Sequence, residues 1–81
     1  MNYRFEAPFL AVEMIMLPYQ QRVVDEKAEL DTKAKALSNF IGLNPAFESI
    51  DPEEQERMKE QCEIMWEYSE VLGKRIAAFA K

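Results

Sequence analysis

Two stretches of this chain repeat apolar positions every seven residues, and that period dictates most of what the backbone can do. Between Tyr19 and Ile41 one row reads Val23, Leu30, Leu37 and a second reads Lys27, Ala34, Ile41. From Pro52 onward the rows are Met58, Met65, Leu72, Phe79 and Cys62, Ser69, Ile76. Residues three, four and seven apart share one side of an α-helix, whereas a strand needs alternation by two. Each stretch is therefore read as a helix with a single seam, the first with a lysine set into it. Punctuation between them agrees. Gly42 is expected to stop the first helix as a C-terminal cap, and Asn44-Pro45 to open a turn. Asp51-Pro52-Glu53-Glu54 is a dense start signal, with Asp at the N-cap, Pro at the first helical position and acids facing the positive end of the dipole.

The expected fold is all-α: one domain over 1–81, with an arm at 1–18, a helix at 19–42, a turn at 43–50 and an antiparallel helix at 51–80. Within the arm a short helix is expected between Pro8 and Pro18, since Leu, Ala, Met and Glu favour helix, although Val12 and Ile15 would also suit a strand.

Such a chain is short of core. At 81 residues it buries roughly 60% of the surface its unfolded form exposes, and small domains commonly need disulfides, metal or oligomerisation. Cys62 is the single cysteine and there is no histidine, so neither a disulfide nor a zinc ligand set is available. Oligomerisation remains. It is also what the second helix asks for, because a further apolar row, Ile64, Tyr68 and Val71, lies beside its seam and two facing helices would cover only the seam. The missing histidine removes the usual base for a Ser or Cys nucleophile, so no enzyme, no catalytic residue and no cofactor is expected.

The most apolar stretch, Phe9 to Leu17, carries Glu13 and is too short for the roughly 20 residues a bilayer needs. No signal-peptide pattern is read at the start, and a lone thiol suits a reducing cytoplasm. With 15 acidic against 10 basic side chains the net charge is -5, which disfavours DNA or RNA polymers as partners. Charge is uneven, however. Residues 51–70 hold eight acids with only Arg57 and Lys59, whereas 71–81 hold Lys74, Arg75 and Lys81 and no acid. That gradient is what a helix dipole favours by itself; equally, it can mark a local anion site.

Four residues depart from the helix pattern, and each has two readings. Lys27 in the seam is a snorkelling stem, or an ammonium aimed at an anion between subunits. Tyr19, after Pro18, staples the end of the hairpin, or offers a flat face for a base. Gly73 permits a close helix crossing, or leaves backbone open to a ligand beside Arg75. Trp66, sharing a face with Cys62, Ser69 and Gly73, reads as core or interface.

The runs Gln20-Gln21-Arg22-Val23-Val24-Asp25-Glu26-Lys27-Ala28-Glu29-Leu30-Asp31 and Tyr68-Ser69-Glu70-Val71-Leu72-Gly73-Lys74-Arg75-Ile76-Ala77-Ala78-Phe79, with the Asn44-Pro45 and Phe47 turn, resemble a family of small phage proteins. These are the anti-CBASS cyclic-oligonucleotide sponges, related to a crAss-like phage protein. The resemblance spans about residues 18–80 and leaves the arm outside it. It implies a non-enzymatic helical hexamer in the host bacterial cytoplasm that sequesters cyclic di- and trinucleotides made by antiphage enzymes. Carried over, Tyr19 is the base platform of a cyclic dinucleotide pocket between protomers, with Lys27 or Lys33 on phosphate. Arg75 is the phosphate contact of a separate cyclic trinucleotide pocket, with Gln20 and Lys74 beside it. A dihedral hexamer has two-fold and three-fold axes that match the symmetry of both ligands. The competing reading is an acidic helical interaction module that inhibits a host enzyme through residues 51–70, and a third is an oligomer without ligand.

Overall fold

The computed structural model describes residues 16–80, and these form a hairpin of two long helices with no strand among them. Helix α1 is Pro18–Leu43 and helix α2 is Pro52–Phe79, joined by a 3₁₀ turn at Pro45–Ser49. The short helix expected between Pro8 and Pro18 lies outside the described residues. The hairpin measures 56 × 27 × 16 Å, one helix pair thick.

Both seams face inward as their spacing demands. Val23, Ala34 and Leu72 are buried, Ser69 is buried among them, and Leu30, Leu37, Ile41, Met58, Cys62, Met65, Ile76 and Phe79 are half-buried along the same interface. Phe47 is the fourth buried apolar residue. It closes the turn end, standing edge-on to Phe40 with ring centroids 6.1 Å apart. The turn is pinned from α2: Gln55 Nε2 donates to the carbonyls of Phe47 and Ile50, both at 2.9 Å. The Ile50 carbonyl thereby gains a partner, and that of Phe47, which already accepts from the Ile50 amide at 3.1 Å, gains a second.

The start of α2 follows its sequence signal, and the end of α1 departs from its own. Asp51 caps α2, its Oδ2 accepting from the amides of Glu53 at 3.1 Å and Glu54 at 3.3 Å. Pro18 opens α1 in the first turn, and Gln20 Oε1 accepts from the Leu17 amide at 2.8 Å. Gly42, expected to stop α1, does not. The helix runs through it to Leu43, no glycine adopts positive φ, and Asn44 is the C-cap at φ -96°, ψ 120°. The cause is Pro45, whose ring disfavours helical backbone in the residue before it and pushes Asn44 to the extended region. Asn44 Oδ1 then accepts from the Ala46 amide at 2.9 Å and starts the 3₁₀ turn.

Candidate functional site

The open end of the hairpin brings the start of α1 against the end of α2. Tyr19 meets Phe79 edge-on, with centroids 5.8 Å apart and planes at 80°. Such pairs contribute about 0.5–1.5 kcal/mol beyond area burial, so Tyr19 does staple this end. It remains 46% exposed, which leaves part of its ring uncovered. That ring lines an open cavity of about 400 Å³ together with Gln20, Arg75, Ala78 and Phe79. Arg75 is exposed and forms no ion pair among the described residues. The cavity thus combines an aromatic face, an unpaired guanidinium and the amide of Gln20, which uses its oxygen on Leu17 and keeps its NH₂ donors.

Three of the six candidate residues, Tyr19, Gln20 and Arg75, therefore meet in one place. The lysines do not join them. Lys33 lies two heptads beyond Tyr19 on the same flank, about 21 Å along the helix axis, so one protomer cannot put both on a small ligand. Lys74 is exposed and stands outside the cavity lining.

Lys27 stands on the opposite flank and is engaged within the hairpin. Its Nζ donates to Asp31 Oδ2 at 2.7 Å, and its stem crosses Gly73 so closely that a Cβ there would sit 3.3 Å from Lys27 Cε. Gly73 thereby admits the lysine stem between the helices. Asp31 also accepts from the Ser69 hydroxyl across the interface. Lys27 first, then Ser69, holds the Asp31 carboxyl below its ordinary value, against a smaller opposing effect of burial. On the other flank the Tyr68 hydroxyl donates to Glu26. These two cross-helix links were not read from the sequence. The Lys27–Asp31 pairing was legible as an i, i+4 pair; its Ser69 partner had only one signal, a polar residue in an apolar seam.

Trp66 is 42% exposed and lines a second groove of about 450 Å³ with Ser38, Ile41, Gly42, Lys59, Cys62 and Glu63. Among the described residues no three His, Cys, Asp or Glu side chains gather into a metal site, and no helix is long and apolar enough to cross a membrane.

Residues 17–78 match the Sequestin family. The chain belongs to that family. The matched span covers both helices and the turn, and so includes Tyr19, Gln20 and Arg75. The family's name points to sequestration. The chain is also similar to a protein of Enterobacteria phage T4, described as an uncharacterized 7.5 kDa protein in the denB-rIIB intergenic region. The two are 42% identical over 64 residues, which is 79% of this chain and 98% of the relative. No solved structure matches this Sequestin family member.

Proposed function

We propose that this protein sequesters cyclic di- and trinucleotide signals as a non-enzymatic homo-oligomer, a hexamer, and so blocks CBASS immunity in the bacterial host. The observation that carries the reading is the cavity where the Tyr19 ring and the Arg75 guanidinium stand side by side, in a member of a family named for sequestration. Neighbouring protomers divide this surface into two pockets, so that the Tyr19 ring takes a base of the dinucleotide and the Arg75 guanidinium a phosphate of the trinucleotide. A base stacks on an aromatic face for about 1–3 kcal/mol. A guanidinium takes a phosphate through charge-assisted, often bidentate hydrogen bonds. The remaining contacts belong to neighbouring protomers: Lys33 lies too far along α1 to reach the Tyr19 of its own chain, and Lys27 would have to exchange Asp31 for phosphate. Tyr19 with one of these lysines serves the cyclic dinucleotide, and Arg75 with Gln20 and Lys74 serves the cyclic trinucleotide. Binding without turnover suits a site whose groups stack and pair but include no base or nucleophile.

Native mass spectrometry with a cyclic dinucleotide and with a cyclic trinucleotide tests the reading, and calorimetry on two variants tests the assignment. The expected result is a hexamer that gains ligand mass. Tyr19→Ala weakens the dinucleotide by about 1–3 kcal/mol and spares the trinucleotide. Arg75→Ala weakens the trinucleotide by at least about 1.5–3 kcal/mol, the size of one charged hydrogen bond, and spares the dinucleotide. Equal losses for both ligands would mean one shared pocket. A protein that never gains ligand mass would overturn the proposal and leave the two other readings, docking of the acidic face of α2 on a host enzyme and an oligomer without ligand.

A further inference from the structure

Gly42 has no reason to be glycine within its own chain. The helix runs through it without positive φ, and a Cβ built there would meet nothing within 4 Å, whereas at Gly73 the Lys27 stem stands 3.3 Å away. Glycine also weakens a helix relative to alanine, so the hairpin alone does not account for bare backbone at this position. Gly42 lines the groove of about 450 Å³ where Trp66 is exposed and where Lys59 and Glu63 stand one turn apart on α2. One patch thus holds a bulky ring and a gap, a cation and an anion. The two charges are free for an outside partner: Lys59 reaches only Glu56, at 3.6 Å with both side chains more than half exposed, and Glu63 forms no ion pair among the described residues.

We propose that this groove is a two-fold contact between copies of this chain, with Trp66 seated over the partner subunit's Gly42 and Lys59 paired with the partner subunit's Glu63, each in both directions. The inference rests on the oligomer reading above and assigns it a surface. A two-fold contact sets a patch against itself, so it is favourable only where the patch complements itself. Here ring meets gap and ammonium meets carboxylate. The lining holds one cation and one anion in a chain of net charge -5, so two copies meeting through it bring no excess of acid together. Tryptophan is also among the residue types that most often anchor an interface. Assembly geometry asks for such a patch as well. A single two-fold contact closes as a dimer, and a hexamer with two-fold and three-fold axes needs a second, different contact on every chain. Trp66 lies on the far side of α2 from Ile64, Tyr68 and Val71, so the two faces can serve two different contacts.

Sedimentation velocity and native mass spectrometry on the full chain at matched concentrations test the proposal, with circular dichroism to follow helix content. Gly42→Leu is the sharpest variant, because the open space leaves the hairpin undisturbed while the new side chain fills the gap that the partner's ring needs. In Gly42→Leu and in Trp66→Ala the concentration of half-assembly should rise about tenfold or more, with half-size species replacing the full assembly and Gly42→Leu keeping its helicity. Lys59→Glu and Glu63→Lys each place like charges across the contact and should each weaken it. Mixed together, the two variants should regain it, which pairing within one chain cannot bring about. Full-size assembly in both Gly42→Leu and Trp66→Ala would overturn this contact and leave the oligomer standing. Charge variants that stay assembled alone, or that recover nothing when mixed, would overturn the reciprocal pairing. An unaltered protein that sediments as a folded monomer would instead overturn the oligomer reading, and this proposal with it.

Discussion

Leu72 is the largest side chain that is fully enclosed, at 1% exposure, and replacing it by Ala tests where the hairpin keeps its stability. Leu72→Ala removes three buried carbon groups, which at about 0.8 kcal/mol each gives roughly 2.4 kcal/mol of lost transfer free energy. A cavity adds to this, and Leu→Ala changes in cores span roughly 2–5 kcal/mol. A hairpin only one helix pair thick can close partly over the gap, so the expected loss lies in the lower half of that range, about 2–3 kcal/mol. With a urea m-value near 1 kcal/mol/M for so small a chain, the midpoint should fall by about 2–3 M. Far-ultraviolet circular dichroism against urea measures it. All variants are compared at one protein concentration, which holds any assembly contribution constant. Glu70→Ala, two residues away and exposed, should stay within about 0.5 kcal/mol. A Leu72→Ala loss below about 1 kcal/mol would refute the reasoning, since it would mean that the α1–α2 seam is not where the protein is held together.

Two further outcomes concern the polar link across that seam. Folding lowers the Asp31 pKa, so the stabilisation it brings is complete above the ordinary value of 3.8 and is lost as pH falls through the lowered value. In a carboxyl-carbon NMR titration Asp31 should ionise below 3.8, with Lys27→Met raising the value more than Ser69→Ala does; titration at or above 3.8 in the unaltered protein would contradict the link. Gly73→Ala should be neutral or stabilise by up to about 1 kcal/mol, because helix propensity improves and the atom it meets, Lys27 Cε at 3.3 Å, belongs to a flexible stem. A loss above about 1 kcal/mol on thermal melting would show that the helices cannot yield there.

Helix existence and facing were readable in advance because both are local and periodic. Each seam position named from the heptads is buried or half-buried, Lys27 included, since a period near 3.6 dictates which side chains share a face whatever lies opposite. Asp51 as a cap follows from the same locality: its acceptor lies two and three residues from the amides that need it. The end of α1 departs from the Gly42 expectation because two local signals compete. Glycine can stop a helix, but only the residue before a proline is pushed out of helical backbone, and Pro45 prevailed over Gly42.

What the tertiary structure decided is everything that depends on the register of one helix against the other. The sequence names Tyr19, Gln20 and Arg75, more than fifty residues apart at the extremes, without saying that they line one cavity. It names Lys27 as a seam lysine without saying that Asp31 and the Ser69 hydroxyl hold the local charge, or that Gly73 makes room for its stem. Periodicity specifies the face of each helix but leaves free a sliding of one along the other by a turn. Only packing removes that freedom: Phe47 and Gln55 anchor the turn, Leu72 fills the seam, and Tyr19 arrives against Phe79 at the far end.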